Sequence, residues 1–232
     1  MKTLHLLLAL PSRPDQWLQS ATRSAPSLIK LLQRGRAALP EPSLAGTLCQ
    51  ACGVKQQQDW PLAPISALAD NLAGASDADA YWLRIDPVHL EVVMGGLLLR
   101  PTAGLQLAMS ESRALIADIN QHWQADGLQI QTVNPNRWYL RLAQTPNLRT
   151  TPLDQMVGEY LTPNLPRGAD ARRLLQQINE VQMLLHSHPV NLSRENDGRP
   201  LLNGLWLWGG GTLPARNTVF DLIVGDDFET LA

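Results

Sequence analysis

The chain has 232 residues, 44% of them hydrophobic, which is enough to form one large domain or two small ones around a buried core. Charged residues make up 17% of the chain, the net charge is −2, and the arginines are scattered. This composition excludes the clustered Lys and Arg side chains with which proteins bind nucleic acids or anionic membrane surfaces. We therefore expect a globular protein with neither a nucleic-acid partner nor a membrane partner.

The N-terminal segment MKTLHLLLALPSRP carries an apolar run from Leu4 to Leu10. The run is short for the apolar region of a signal peptide, contains His5, and is followed by no A-x-A-like cleavage site. We interpret residues Thr3–Leu10 as a first buried strand, with secretion as the alternative. Because no stretch approaches the roughly 20 apolar residues of a membrane-spanning helix, we predict a cytoplasmic protein.

Helices are predicted over residues 25–38 and 44–52, separated by prolines. Cys49 and Cys52 form a C-x-x-C motif near the end of the second helix. A redox pair is expected at the start of a helix, where the helix dipole lowers the pKa of a thiol. At this position the spacing favours two small buried side chains, while a redox pair or a zinc site with two further ligands stays open.

Residues 80–151 carry the pattern of a separate α+β unit. Two β-rich segments flank Met94-Gly95-Gly96, and a helix follows that we expect to begin at Ser110 and to end at Gly127. Two more strands then surround Asn134-Pro135-Asn136. The order ββαββ predicts a small antiparallel sheet with one helix on a face. On its first strand, Arg84 and Asp86 share a face, which suits an ion pair or contact with a ligand.

After this unit we predict a long helix over residues 169–186, ended by Pro189, and two buried strands over 203–211 and 217–226. Strands near both ends of the chain, with helices between them, predict an α/β domain with a parallel sheet. This domain comprises residues 1–79 and 152–232, and residues 80–151 are inserted into it. Trp206 and Trp208 alternate and face one side of their strand, which favours burial, and the glycines at 209–211 predict a tight turn.

Five segments, in this order along the chain, carry a family resemblance: YWLRIDPVHL, NRWYLRL, TTPLDQMVG, NEVQMLLHSHPVNLSREN and PLLNGLWLWGGGTLP. Together they resemble the archaeal-type 2,3-bisphosphoglycerate-independent phosphoglycerate mutases of the alkaline phosphatase superfamily. The chain looks closer still to a bacterial branch of phosphoglycerate-mutase-like regulatory proteins. The resemblance spans about residues 80 to 214 and implies a phosphatase-like domain, with an alkaline-phosphatase-like parallel sheet that is at least partly present, interrupted by a small α+β domain.

Four polar residues keep the spacing of the family's segment at which the chain returns to the phosphatase-like domain: His188, Asn191, Arg194 and Asn203. The guanidinium of Arg194 offers a bidentate fork for a phosphate or carboxylate, and a histidine can bind a metal or a phosphate. These four residues are the candidate ligand-binding set. A local structural role, in which His188 caps the end of a helix and Arg194 pairs with a neighbour, is the alternative.

The family's chemistry uses two divalent metals, held by Asp and His residues, that activate a serine for phosphoryl transfer. The resemblance implies an Asp-Gly pair after the first strand, but that position reads LALPSRPD, and the first aspartate is Asp15. Ser43 is a weak candidate for the serine, and Asp226 and Asp227 are weak candidates for metal ligands. No counterpart of the family's C-terminal Asp-His signature occurs up to Ala232. We therefore expect a family member that has lost catalysis.

Three hypotheses follow, and whether the chain is an enzyme stays open. The first is a phosphoglycerate-mutase-like protein without catalysis and without a cofactor, which binds a phosphorylated small molecule or a protein partner. The second is a metal-dependent phosphoglycerate mutase or phosphatase with residual activity, which would use Ser43 and a divalent metal. The third is a protein-protein interaction module.

Overall fold

The structure, a computed structural model, describes residues 43–100 and 102–215 and four single positions before them. Its elements, in chain order, are α1 (Leu44–Ala51), α2 (Leu62–Ala69), β1 (Tyr81–Val93), β2 (Gly96–Arg100), α3 (Met109–His122), β3 (Ile130–Asn134), β4 (Arg137–Leu142), α4 (Ala171–His186), α5 (Pro189–Asn196) and β5 (Gly204–Thr212). Short 3-10 helices cover Thr102–Leu105, Gln124–Asp126, Leu153–Gln155 and Thr162–Asn164. The predicted strand Thr3–Leu10, most of the predicted helix 25–38 and the predicted strand 217–226 lie outside the described residues.

The five strands form one antiparallel sheet with β1 at its centre. Strands β2, β1, β4 and β3 follow one another in that order, and β5 pairs with β1. Because β4 and β5 both pair with residues 81–84 of β1, they flank it on opposite sides. The predicted ββαββ order and its antiparallel pairing are confirmed.

The placement of β5 corrects the prediction. Its segment was expected in a parallel sheet of another domain, but β5 runs antiparallel to β1, from Tyr81 opposite Thr212 to Val88 opposite Gly204. All described strand pairs are antiparallel, so the parallel alkaline-phosphatase-like sheet is not shown. The sheet also continues across the predicted boundary at residue 151, while the division of the whole chain into two domains stays a prediction.

The glycines that precede the end of β5 are part of the strand, so the predicted tight turn at 209–211 is wrong. Close packing explains why these positions are occupied by glycine. A Cβ atom on Gly211 would lie 2.6 Å from Cβ of Pro61, and one on Gly210 would collide with the hydroxyl of Tyr81. The missing side chains let the segment before α2 and the centre of the sheet approach the backbone of β5.

The sheet is covered by helices on both faces. One face packs on apolar side chains of α3 and α4, such as Leu115 and Val181, and the other on α1 and α2. Trp206 and Trp208 are 3% and 9% exposed and belong to the second core, which confirms their predicted burial. Within the described ranges, no helix is both long and apolar enough to cross a membrane.

The helix on the inserted unit begins earlier than predicted. Its first residue is Met109, and the expected N-cap Ser110 lies within the first turn. The carboxylate of Glu111 accepts a hydrogen bond from the backbone N–H of Ala108 at 2.8 Å, so a glutamate of the first turn satisfies a free donor at this end. The α-helix ends at His122, earlier than predicted, and Gly127, with a φ of 68°, closes the 3-10 helix that follows it.

A buried ion pair occupies the centre of the sheet. Arg84 and Asp86 are 3% and 0% exposed, and Nη2 of Arg84 lies 2.8 Å from Oδ2 of Asp86. The guanidinium carbon lies 5.1 Å from the ring centre of Tyr139 and 5.0 Å from that of Trp208, within the range of cation–π contacts. Asp86 also accepts hydrogen bonds from the backbone N–H of Trp138 and from the indole N–H of Trp208. Of the two roles predicted for Arg84 and Asp86, the structure shows the ion pair.

The substitution Arg84→Met should destabilise the fold by about 3–5 kcal/mol, because it leaves the carboxylate of Asp86 buried without its ion partner. Adding Asp86→Asn removes that charge and keeps an oxygen that can accept the indole N–H of Trp208. We expect the double variant to recover a large part of the lost stability. Urea unfolding of the single and double variants measures this, and a double variant no more stable than Arg84→Met would contradict it.

Candidate functional site

Three of the four candidate ligand residues are carried by α5, a helix that sequence analysis missed. Pro189 was taken only as the end of the preceding helix. It occupies the first position of α5, where a proline loses no hydrogen bond, and His188 is the N-cap. Nδ1 of His188 accepts the backbone N–H of Val190 at 3.1 Å. The order His-Pro directly after a helix end was the sequence signal for this second helix.

His188 also connects α5 to α3. Because its Nδ1 accepts a hydrogen bond, its Nε2 carries the proton and donates to Oδ2 of Asp118 at 3.0 Å. The side chain is buried, at 6% exposure. It therefore caps the start of a helix, where the sequence had suggested the end of one.

The side-chain amides of Asn191 and Asn203 both form hydrogen bonds with backbone groups of other residues. Nδ2 of Asn191 donates to the carbonyls of Leu185 and Leu202 at 2.8 and 2.7 Å, and its Oδ1 accepts the N–H of Leu202 at 2.9 Å. Asn203 accepts the N–H of Leu90 at 2.7 Å and donates to the carbonyl of Leu90 at 2.9 Å. Both amides replace a peptide group of a neighbouring strand or turn.

Arg194 is fully buried, at 0% exposure, and holds three segments together. Its Nε donates to the carbonyl of Pro200 at 2.8 Å, its Nη2 donates to the carbonyl of Leu105, and its Nη1 contacts both carboxylate oxygens of Glu111 at 3.2 and 3.1 Å. Arg199 binds the same carboxylate at 3.0 and 3.1 Å. The guanidinium of Arg194 is thus occupied by two backbone carbonyls and one glutamate of the chain itself.

The structure therefore gives each residue of the candidate ligand set a partner inside the chain. His188, Asn191 and Arg194 fasten α5, and Asn203 extends the pairing of β5 with β1. These contacts assign the residues a structural role. Ligand binding by the set stays a prediction.

The substitution Asn191→Asp should lower the free energy of unfolding by at least about 2 kcal/mol, because two buried carbonyls lose their donor and face a carboxylate. The same change at the exposed Asn179 of α4 adds the same charge without removing a buried hydrogen bond and serves as the control. Chemical denaturation of both variants checks the prediction. Equal stabilities of the two would show that the amide of Asn191 does not hold α5.

The pKa of Glu111 lies below its usual range, since hydrogen bonds from the N–H of Ala108 and from Arg199, together with the charge of Arg194, outweigh the opposing effect of burial. A carboxyl group whose pKa is lowered on folding stabilises the fold above its unfolded pKa. That stabilisation is lost as the pH falls through the folded pKa.

Glu111→Gln should therefore cost about 1–3 kcal/mol at pH 7, the range for losing charged hydrogen bonds, and progressively less below about pH 4. Unfolding free energies measured between pH 3 and pH 8 test this pH dependence. Glu195→Gln, at an exposed position of α5, is the matched control and should leave the profile unchanged. A Glu111→Gln penalty that stays constant across this range would contradict the assignment.

Ser43, the candidate nucleophile, is the N-cap of α1 and borders a cavity of about 190 Å³. The serine is 2% exposed, and its Oγ accepts the N–H of Gly46 at 3.1 Å. The cavity lies where α1, the segment before α2, residues 150–155 and β5 meet. Its lining residues are Ser43, Gln56, Asp59, Trp60, Leu62, Thr150, Pro152, Gln155 and Gly209.

Asp59 is the ionisable residue of this lining, and sequence analysis missed it. It is 6% exposed, and its carboxylate accepts the backbone N–H of Thr150 at 3.0 Å and the hydroxyl of Thr150 at 2.5 Å. Burial raises the pKa of Asp59, and these hydrogen bonds, one from the N–H of Gly210 and the charge of Arg149 offset only part of that effect. The cavity therefore carries negative or neutral charge beside Ser43.

The two cysteines lie in and directly after α1, as predicted, and both are free thiols. Burial, together with the neighbouring Cys52, raises the pKa of Cys49 to about 12, and burial also raises the pKa of Cys52. Both thiols therefore stay protonated at neutral pH. This agrees with the structural interpretation of the C-x-x-C motif.

Asp15 and the candidate metal ligands Asp226 and Asp227 lie outside the described residues. Among residues 43–100 and 102–215, no group of three or more His, Cys, Asp or Glu side chains is arranged to hold a metal ion.

Comparisons with known proteins give one consistent group of relatives. The chain is 28% identical over 135 residues to a probable 2,3-bisphosphoglycerate-independent phosphoglycerate mutase of Geobacter sulfurreducens, a match that covers 56% of this chain and 33% of that protein. It is 27% identical over 168 residues to the 2,3-bisphosphoglycerate-independent phosphoglycerate mutase of Methanosarcina mazei, covering 70% of this chain and 40% of that protein. The matched segment thus spans between a third and two fifths of these two curated relatives.

Among solved structures, the cofactor-independent phosphoglycerate mutase of Thermoplasma acidophilum DSM 1728 aligns with a TM-score of 0.49 at 16% identity. This alignment covers 71% of this chain and 46% of that chain. No protein-family model matches the sequence.

Proposed function

We propose that this chain, whose homologues are archaeal and bacterial cofactor-independent phosphoglycerate mutases, acts through binding or regulation and not through catalysis. The observation that carries the proposal is the use this chain makes of three polar residues that keep the family's spacing. His188, Asn191 and Arg194 direct their polar atoms at the chain's own backbone and carboxylates. In this chain these side chains therefore hold the fold together.

The surroundings of Ser43 support the same proposal. A phosphoryl group needs positive charge beside it, from metals or from Lys and Arg, because negative charge develops in its transition state. The charged residue that lines this cavity is the carboxylate of Asp59. In addition, the hydroxyl of Ser43 accepts a hydrogen bond as the cap of α1. Both features disfavour phosphoryl transfer at this serine.

The proposal includes several finer points. A binding role requires no divalent metal, and we place the protein in the cytoplasm. We keep the two-domain division and the parallel sheet of the phosphatase-like domain as parts of the proposal.

The proposed partner is a phosphorylated small molecule or a protein. Support for a protein comes from the hairpin of β1 and β2, where the side chains of Val92 in β1 and Met94 in the turn are 82% and 98% exposed. Tyr160, which lies beside the turn, is 43% exposed. Exposed apolar side chains that cluster in this way are typical of surfaces that bind other proteins.

A metal-dependent mutase or phosphatase with residual activity is the second candidate. The observation in its favour is that Ser43 and Asp59 line the same cavity. A hydroxyl and a carboxyl group whose pKa is raised by burial are the residue types of a nucleophile and a proton carrier.

An activity assay separates the two candidates. The full chain with Mn²⁺ and 3-phosphoglycerate, followed by ³¹P NMR, should form no 2-phosphoglycerate, while a homologous mutase assayed in parallel shows that the conditions suffice. Ser43→Asn keeps an acceptor for the helix cap but removes the hydroxyl, so it should behave as the wild type. Turnover that this variant abolishes would establish the second candidate. Turnover that both proteins share would place a nucleophile elsewhere and would equally overturn the proposal.

A further inference from the structure

We infer that the cavity beside Ser43 binds a small primary ammonium ion, with Asp59 as its counter-ion. The inference goes beyond the proposed function, whose partner is a phosphorylated small molecule or a protein, and names the chemical class of a further ligand. It is carried by the charge, the polar groups and the size of the cavity.

The charge of the lining favours a cation. Asp59 is its ionisable residue, and it is more than nine-tenths buried. Arg149, whose charge also acts on this carboxylate, is exposed and does not line the cavity. A carboxylate removed from water without a buried cationic partner is stabilised by a cation that enters beside it.

The hydrogen bonds of Asp59 leave room for a further donor. Three donors reach its two oxygens: the hydroxyl of Thr150, the N–H of Gly210, and the N–H of Thr150, which is shared between Oδ1 and Oδ2 at 3.0 and 3.2 Å. An ionised carboxylate has about four acceptor positions, so a ligand N–H needs to displace only the longer of the two shared contacts. A primary ammonium ion has three N–H donors, and the remaining two need acceptors nearby.

The other lining residues supply those acceptors. The side-chain amides of Gln56 and Gln155 each carry a carbonyl oxygen, and the indole of Trp60 forms part of the wall. An indole ring is the strongest aromatic partner of an organic cation. A carboxylate, amide oxygens and a tryptophan together form the recognition chemistry of an ammonium group.

The start of α1 also borders the cavity, and its partial positive charge opposes a cation. A helix end carries about half an elementary charge, which is less than the full charge of the Asp59 carboxylate. One of the free N–H groups of this end, that of Gly46, is already bonded to Ser43. The carboxylate therefore determines the sign of the charge that a ligand must carry, and an anion such as a phosphate ester is disfavoured.

The volume limits the size of the ligand. The cavity holds about 190 Å³, roughly six water molecules at about 30 Å³ each. This space accommodates an amine with a short carbon chain, such as an amino alcohol, and excludes nucleotides and sugar phosphates.

Three probes of nearly equal size and different charge test the inference on the full chain. Ethanolamine is cationic, ethylene glycol is neutral and glycolate is anionic at pH 7. We expect saturable binding of ethanolamine in calorimetry, with a shift of the Trp60 indole N–H signal in ¹⁵N NMR, identified by its loss in Trp60→Phe. Ethylene glycol and glycolate should bind at least about tenfold more weakly, the ratio that 1.4 kcal/mol produces. Equal binding of the three, or no binding of ethanolamine, would overturn the inference.

Variants then test the role of Asp59. Asp59→Asn should weaken ethanolamine binding at least about tenfold, whereas Asp154→Asn, which removes the same charge at an exposed position beside the lining, should change it less than about twofold. Thermal unfolding shows whether Asp59→Asn is folded. If it is not, Gln155→Leu, which replaces a polar wall residue with an apolar one, serves instead and should also weaken binding. Unchanged affinity in the folded variant used would refute the assignment.

The outcome is independent of the activity assay. Ethanolamine binding supports the inference, and the absence of phosphoglycerate turnover supports the proposed function. Turnover that depends on Ser43 overturns the proposed function, whereas failure of ethanolamine to bind, with turnover still absent, removes only this ligand.

Discussion

The described fold depends on side-chain amides that take the place of peptide groups where strands end. An Asn or Gln amide presents the same N–H and C=O groups as the backbone, so it can form hydrogen bonds with both backbone groups of a residue that has no strand partner. Asn203 continues the pairing of β5 by binding both backbone groups of Leu90, and Gln57 binds both backbone groups of Thr212 at the other end of the strand. Asn120 of α3 binds Ile130 in the same way at the start of β3. The bonds of Asn203 and Gln57 thus fix both ends of β5, the strand that returns to β1 from far along the sequence.

This use of amides explains why the sequence pointed to a ligand site. Asn191 and Asn203 have the residue types and the spacing of a polar binding set, but a side chain that can bind a ligand can equally bind a carbonyl of its own chain. Burial decides between the two, and burial depends on contacts such as that between Asn203 and Leu90, which are 113 residues apart. In this chain these residues hold α5 and β5, and its chemistry is to be determined at other residues.

Local patterns predicted the elements well and their partners poorly. The hairpin around Met94 and the helix α4 are encoded by patterns of neighbouring residues, and both elements form as predicted. The partner of β5 could not be obtained in this way. Its residues 204–211 are all buried, and a strand buried on both faces has the same continuous apolar pattern in parallel and antiparallel sheets. For the cavity, Ser43 was found through the family resemblance. Its neighbours Asp59 and Thr150, which come from segments 91 residues apart, carry no sequence signal.

The charges of the described part explain why this cavity is the place to look for a ligand. The guanidinium groups that are buried or half-buried are matched by carboxylates: Arg84 by Asp86, Arg137 by Asp70, and Arg194 with Arg199 by Glu111. The first pair lies within β1 and the others join different segments, and in each the charge is already compensated. Asp59 differs, because it is equally buried but has hydrogen bonds from neutral groups only. Folding normally neutralises or pairs such a group, and an entering cation would complete here the pairing that the chain provides for its other buried charges.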